Sequence, residues 1–279
     1  MKKIIPIDKI KKYAINKSIE VSNKSIESTS KFSRILIDLA NVFLFIIRVF
    51  KNTFSKEFEF KEFIKQCFQI GNKSFTLISI TGIIMGLVLT IQSRPILVKF
   101  GALNLLPNMV AISLIREMGP VITALICAGK IGSSMGAELG SMRVTEQIDA
   151  LEVSSANPIK FLIVPRVLAA TLMIPILCIY ADALGILGSW VGANIKGDLN
   201  FVLFISQAFG KVDFIDFIPA VIKSFFFGAV IGLVGCYKGF NAGRGTESVG
   251  IAANTAVVTA SFLVILVDLI AVQITDLLL

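Results

Sequence analysis

The chain has 279 residues, of which 55% are hydrophobic and only 16% charged, and its formal net charge is +8. A water-soluble domain of this size could hardly bury so much apolar surface, so lipid is the expected solvent for much of the chain. The sequence contains no histidine, which excludes Ser/His/Asp triads, HExxH zinc sites and other histidine-based acid–base chemistry.

The N-terminal segment carries all of the excess positive charge. Residues 1–73 hold 15 Lys+Arg against 7 Asp+Glu, whereas the remaining 206 residues hold 12 of each. Beside a membrane domain, this pattern is more typical of a cytoplasmic leader near anionic headgroups than of a nucleic-acid-binding tail. We therefore predict a basic, solvated leader over residues 1–33, which we expect to be retained because it lacks an apolar core of signal-peptide length.

Two amphipathic helices are predicted over residues 34–73. From Arg34 to Arg48, polar residues recur at steps of four, three and seven among apolar ones, which indicates a helix with a narrow polar stripe. The stripe favours a helix lying in the membrane interface, although a sixth membrane span is the alternative. From Phe60 to Phe68, apolar residues again follow helical spacing among lysines and glutamates, which indicates a second interfacial helix.

Five apolar stretches approach the roughly 20 residues needed to cross a hydrocarbon layer of about 30 Å. They predict an all-α, polytopic transmembrane domain over residues 74–279. With the basic leader in the cytoplasm, the segment 132–160 between the second and third spans is also cytoplasmic. The predicted spans are 74–93, 109–131, 161–190, 217–240 and 255–278.

Glycines recur four positions apart in these spans, as in the pairs Gly82/Gly86 and Gly228/Gly232. Such pairs let helix backbones approach closely, which in lipid must replace hydrophobic attraction between helices. The spacing predicts tight packing, either within the chain or between two copies. The four cysteines are far apart and form no CxxC pair, so we interpret them as small buried apolar residues rather than metal ligands.

Four charged residues fall inside predicted spans: Arg116, Glu117, Lys223 and Asp268. Each costs about 2.5 to 3.5 kcal/mol at membrane depth unless it is paired or hydrated. Adjacent helical residues point about 100° apart, so Arg116 and Glu117 should find partners on other helices. We predict that Arg116 pairs with Asp268 and Glu117 with Lys223, lining a polar pocket open towards the external leaflet. The alternative is a set of structural ion pairs that lock the bundle.

Three further charged residues lie in or near the spans. Arg166 and Lys130 are close to predicted cytoplasmic ends, and we interpret both as snorkelling side chains. Asp182, in the third span, has no role that the sequence suggests.

The cytoplasmic segment between the second and third spans contains a predicted short helix. Thr145 can cap its start, Glu146 and Asp149 favour the positive end of the helix dipole, and Ile148 and Leu151 form one apolar edge. Such a helix is shaped to dock into a soluble partner. An ordinary interfacial loop helix is the alternative that spacing alone leaves open.

The run over residues 113–169 resembles the MlaE (YrbE) permease family, which includes the permease of the chloroplast trigalactosyldiacylglycerol system. The motifs RExGPV, AELGxMRVTEQIDAL and NPxxFLxxPR occur in order and at the family spacing. The resemblance continues more weakly through IKSFFFGAVIGLVGCYKGF and the last span, so it covers roughly residues 60–279. It does not extend to the leader.

The resemblance implies the permease subunit of an ABC transporter that moves phospholipid or a related lipid between membranes. In that family the permease is a homodimer, two cytoplasmic ABC ATPase subunits bind the ATP, and an MCE-domain protein on the far side of the membrane handles the lipid. The chain itself has no GxxxxGK[ST] phosphate loop, so no cofactor is expected in it. The implied location is a bacterial inner membrane or a plastid envelope membrane.

Two rival functions come from other classes. One is a secondary transporter or channel driven by an ion gradient through Glu117 and Asp268. The other is an intramembrane enzyme, for which the sequence offers neither a histidine nor an evident nucleophile–base pair. The resemblance also implies that the TEQIDAL region is a coupling helix that docks the ATPase, and that the four charged residues in the spans lie near the lipid cavity. The predicted coupling residues are Glu138, Arg143, Thr145, Glu146, Gln147, Asp149 and Leu151.

Overall fold

A computed structural model describes residues 36–53, 59–195, 200–210 and 212–278, so the predicted leader lies outside the described residues. The chain divides into two units, Met1–Phe50 and Lys51–Leu279. Helix α1 covers residues 36–53. Whether α1 lies in the membrane interface stays a prediction.

Seven further helices follow in the described part of the second unit, and no strand is found among the described residues. Five of the seven, namely α2, α3, α5, α7 and α8, are long and apolar enough to cross a membrane. The predicted all-α, polytopic fold with five spans is therefore confirmed. The helices are α2 (Phe60–Lys99), α3 (Leu103–Val144), α4 (Gln147–Val153), α5 (Ile159–Asn194), α6 (Phe201–Phe209), α7 (Phe214–Phe240) and α8 (Thr246–Leu278).

The two short helices lie at opposite ends of the spans. Successive spans alternate in direction, so the end of α3, the whole of α4 and the start of α5 lie at one end, called here the α4 face. The end of α5, the whole of α6 and the start of α7 lie at the other end, called the α6 face.

The first two spans extend beyond their predicted limits. Helix α2 is continuous over 40 residues, so the predicted second interfacial helix is its first part rather than a separate element. Forty residues make a helix of about 60 Å, about twice the thickness of the hydrocarbon layer. Helix α3 likewise continues to Val144, past its predicted end at 131. Helices end where backbone hydrogen bonding stops, whereas the apolar pattern marks only the part in lipid.

Helix α5 packs against α2 on one side and α7 on the other, and close backbone contacts at glycines hold these helices together. A Cβ atom on Gly86 would lie 1.7 Å from the carbonyl oxygen of Gly185, and one on Gly228 would lie 2.6 Å from that of Ala170. No other residue fits such crossings without moving a backbone. The glycine pairs therefore serve packing within this chain.

Candidate functional site

Arg116 and Glu117 lie in a π-helical turn of α3, Leu114–Met118, where the Gly119 N–H donates to the Leu114 carbonyl five residues earlier. Pro120 has no N–H to donate to the Arg116 carbonyl, and its ring crowds that carbonyl. A widened turn relieves this break, and such turns recur at functional sites in membrane and soluble helices. The two adjacent charged side chains both pair with α7, Arg116 near the start of that helix and Glu117 about two turns further along.

Lys223 on α7 is the centre of the charged cluster. Its side chain is only 5% exposed, and its Nζ donates to Glu117 Oε2 at 2.8 Å and to Asp268 Oδ1 at 3.0 Å. Two carboxylates thus compensate one buried cation, and the pairs join α3, α7 and α8. The structure contains the predicted Glu117–Lys223 pair.

Arg116 does not have the predicted partner. Its Nε lies 3.3 Å from Asp216 Oδ1, whereas Asp268 is held by Lys223. Asp216 is in the first turn of α7, where its side chain also accepts the backbone N–H of Asp213 at 3.1 Å and completes a capping box. Because the predicted span starts at 217, Asp216 falls outside the predicted cluster. The capping-box spacing of two aspartates is the sequence signal that could identify it.

All members of the charged cluster except Asp268 line a cavity of about 370 Å³ between α3, α7 and α8. The side chains of Arg116 and Glu117 are 39% and 45% exposed there, so both have atoms free to contact a ligand. Thr275 and Asp276 add polar groups from α8.

An apolar cavity of about 520 Å³ adjoins the polar one, and the two share five lining residues: Ile215, Pro219, Lys223, Ala271 and Thr275. The remaining walls are hydrocarbon side chains of α7 and α8. A polar chamber continuous with an apolar groove suits an amphiphilic molecule, with its polar part at the cluster and its chains along the groove. The apolar groove is lined by Phe214, Ile215, Ile218, Ile222, Phe226, Ala271 and Ile274.

At the α4 face, a tight turn joins α3 to the short helix α4. Thr145 does not cap the start of α4 as predicted, because α3 continues to Val144 and the Thr145 hydroxyl donates back to the Ser141 carbonyl at 2.8 Å. Glu146 occupies the cap position with φ of 58°, in the left-handed region. The turn therefore fixes where α4 begins.

The predicted coupling residues have different environments. Ile148 is fully buried and anchors α4, and Arg143 forms an ion pair with Asp149 across the turn. Glu146 and Gln147 are exposed at the surface of α4, and Leu151 is half-buried. Sequence reasoning missed Val153, an apolar residue that is 87% exposed at the end of α4.

Glu138 faces other helices rather than the surface of α4. Its Oε1 accepts a hydrogen bond from Arg166 Nη2 at 3.0 Å, and Arg166 Nη1 donates to the Leu162 carbonyl at 2.7 Å. The Arg166 side chain is 3% exposed, so its interpretation as a snorkelling side chain is wrong. An ion pair between α3 and α5 compensates its charge instead.

Asp182 on α5 is buried, and its Oδ1 has no hydrogen-bond partner among the described residues. It lies against Gly119, where a Cβ atom would be 1.6 Å from Asp182 Oδ1. The contact gives a reason for glycine in the GP pair that follows the π-helical turn.

The Permease MlaE family model matches residues 63–274, which include both the charged cluster and α4. A probable ABC transporter permease protein of Rickettsia prowazekii is 39% identical over 203 residues, covering 73% of this chain and 78% of that protein. A probable ABC transporter permease protein of Pyropia yezoensis is 34% identical over 207 residues, covering 74% and 79%.

The intermembrane phospholipid transport system permease protein MlaE of Haemophilus influenzae is 35% identical over 209 residues, covering 74% of this chain and 80% of that protein. The match with the family model spans all five apolar helices, from the early part of α2 to near the end of α8. This multi-pass membrane protein belongs to the MlaE permease family.

Proposed function

We propose that this chain is the transmembrane permease subunit of an ATP-driven transporter that moves phospholipid or a related lipid between membranes. The observation that carries the proposal is the polar cavity at Arg116 and Glu117, continuous with an apolar groove along α7 and α8. Family membership and the names of the relatives agree with this function. No catalytic role is assigned to the chain.

In the proposed complex, the lipid headgroup lies in the polar cavity and the acyl chains lie along the groove. Lys223 already bonds two carboxylates, so Arg116 is the cluster cation best able to bind the headgroup phosphate. An arginine fork bonds phosphate oxygens in pairs, which makes it a strong and oriented contact. Glu117, exposed beside it, can accept from a headgroup N–H or O–H.

We infer that two copies of the chain face each other across this groove. The groove is open along α7 and α8, where Phe226 is 59% exposed and Ile274 is 52% exposed. A second copy would enclose acyl chains that one copy leaves open. An MCE-domain protein would then receive or deliver lipid at the α6 face, near the cluster.

The energy would come from cytoplasmic ATPase subunits that bind α4. Glu146, Gln147 and Val153 form its exposed surface, whereas Ile148 and the Arg143–Asp149 pair hold α4 to the end of α3. Because α3 also carries Arg116 and Glu117, a rigid-body movement of α4 would reach the cavity along one helix. This orientation puts the α4 face in the cytoplasm of a bacterium or on the corresponding side of a plastid envelope membrane.

Reconstitution tests the proposal directly. Proteoliposomes with the chain and its ATPase should transfer labelled phospholipid to an acceptor when ATP is added, and the chain alone should not. Transfer by the chain alone under an ion gradient would instead favour a secondary transporter.

A further inference from the structure

A second polar pocket lies near the α4 face, far from the charged cluster. It has a volume of about 100 Å³ and lies between α2 and α3. Lys130 on α3 is 13 residues beyond Glu117, so the pocket is about 20 Å from the cluster along the helix. The proposed lipid path does not use it.

Two lysines from different helices bring positive charge to this pocket. Lys73 comes from α2, and Lys130 comes from a second π-helical turn of α3, Ala128–Gly132. Neither lysine has an ion-pair partner within the described ranges. Both therefore retain donors for an anion that enters the pocket.

A buried hydroxyl also lines the pocket. Ser74 is fully buried, and its Oγ has no hydrogen-bond partner in the described part of the chain. A buried polar group without a partner is destabilising, so a ligand that forms a hydrogen bond with it removes that cost. The amides of Gln66 and Gln69 and the hydroxyl of Ser134 add further polar lining.

The carboxylates near the pocket are already compensated. Glu138 lines it, but its Oε1 pairs with the buried guanidinium of Arg166 at 3.0 Å. Glu62, one helical turn before Gln66, pairs with Lys65 at 3.2 Å and accepts from Gln66 Nε2 at 2.8 Å. Lys73 and Lys130, which have no ion-pair partner in the described part of the chain, thus give the pocket a positive charge.

We propose that this pocket binds a phosphate group through Lys73, Lys130 and Ser74. Its volume is several times the roughly 10–15 Å³ that one water molecule needs, which suits a phosphate group but not a whole lipid. The predicted span 74–93 begins beside Lys73, and the predicted span 109–131 ends beside Lys130. The pocket therefore lies at the membrane surface, at the depth of the headgroup phosphates. The phosphate therefore belongs either to an anionic lipid of that leaflet or to a soluble phosphate.

Binding can be measured on the full chain in detergent, without the ATPase and without transport. One arm incubates the chain with mixed vesicles of phosphatidylethanolamine and phosphatidylglycerol and counts retained lipids by native mass spectrometry. The other arm titrates inorganic phosphate and follows binding by calorimetry. Failure of the transport proposal would leave both measurements unaffected.

The variants are Lys73→Gln, Lys130→Gln and Ser74→Ala, with Lys61→Gln as the matched control. Lys61 is exposed on the same end of α2 but does not line the pocket. Each lysine variant should weaken phosphate-group binding about tenfold, as expected for one lost charged hydrogen bond, and Ser74→Ala should weaken it less. Lys130→Arg should retain binding, which separates loss of charge from loss of fold.

The two arms identify the source of the phosphate. Weaker lipid retention alone assigns a lipid headgroup, weaker inorganic phosphate binding alone assigns a soluble phosphate, and a loss in both arms assigns a site open to both. The proposal is overturned if Lys73→Gln and Lys130→Gln match Lys61→Gln in both arms.

Discussion

Lys223 holds two carboxylates from different helices, which makes it the residue on which the cluster depends most. Replacing it by methionine would leave Glu117 and Asp268 facing each other without a cation. We expect Lys223→Met to lower the free energy of unfolding by about 3 kcal/mol, near the low end for broken buried pairs because Glu117 is partly exposed.

Thermal unfolding in detergent measures this loss, and Lys238→Met is the control. Lys238 lies in the last turn of the same helix, outside the cluster. Equal stability of the two variants would mean that the cluster contributes nothing to the bundle.

Glu117 distinguishes a ligand-binding cluster from a structural one. Its side chain is 45% exposed in the cavity, whereas Asp268 bonds the same lysine from outside the cavity lining. We expect Glu117→Gln to reduce ATP-dependent lipid transfer about tenfold with little change in unfolding temperature, as for one lost charged hydrogen bond. Asp268→Asn should have the opposite effect, with a clear drop in unfolding temperature and a smaller loss of lipid transfer.

The comparison is made in the same proteoliposomes, with each variant matched for protein incorporated. If Glu117→Gln transfers lipid normally but unfolds at a lower temperature, the charged residues are structural ion pairs, and the lipid binds elsewhere.

At the scale of helices, the α2–α5 crossing depends on the absence of side chains. A Cβ on Gly86 would lie 1.7 Å from a backbone oxygen of α5, whereas one on Gly129 would meet nothing within 4 Å. We expect Gly86→Ala to lower the free energy of unfolding by about 1–3 kcal/mol, the range for an overpacked core. Gly129→Ala should have no such cost, and an equal loss in both variants would contradict the crossing. Thermal unfolding of the two variants provides the measurement.

The sequence predicts the elements better than their ends. Apolar length identifies all five spans, because it reports directly on burial in lipid, and glycine spacing identifies where helices pack closely. They cannot report that α2 is continuous from Phe60 or that α3 runs on to Val144, since tertiary packing stabilises those extensions. For the same reason Thr145, a good cap by local preference, ends one helix instead of starting the next.

In the cluster, composition identifies which residues need partners but not which partners they take. The free-energy cost of a charge inside the membrane identifies four residues that need partners: Arg116, Glu117, Lys223 and Asp268. The pairing depends on the π-helical turn and on the first turn of α7, which brings Asp216 to Arg116. Both are three-dimensional features that residue spacing along one helix cannot predict.

At the scale of the whole molecule, the charged cluster and α4 lie far apart. A movement of α4 must therefore be transmitted through the protein to reach the cavity. The cavity lies towards the α6 face, and α4 lies at the other face, with α3 as the continuous link. Helices α3 and α4 move together as a rigid body only if α4 is held to α3. The buried Ile148 and the Arg143–Asp149 ion pair provide this attachment.

The exposed apolar residue on α4 gives the sharpest test of that transmission. Val153 is 87% exposed in the chain alone, and docking of an ATPase would bury it. We expect Val153→Asp to reduce co-purification of the ATPase about tenfold or more, because a buried unpaired charge costs several kcal/mol, and to leave the unfolding temperature unchanged. Val202→Asp is the matched control, since Val202 is 72% exposed on α6 at the opposite face. If the two variants retain the ATPase equally, the ATPase binds a surface other than α4, and lipid movement must be coupled through a different helix.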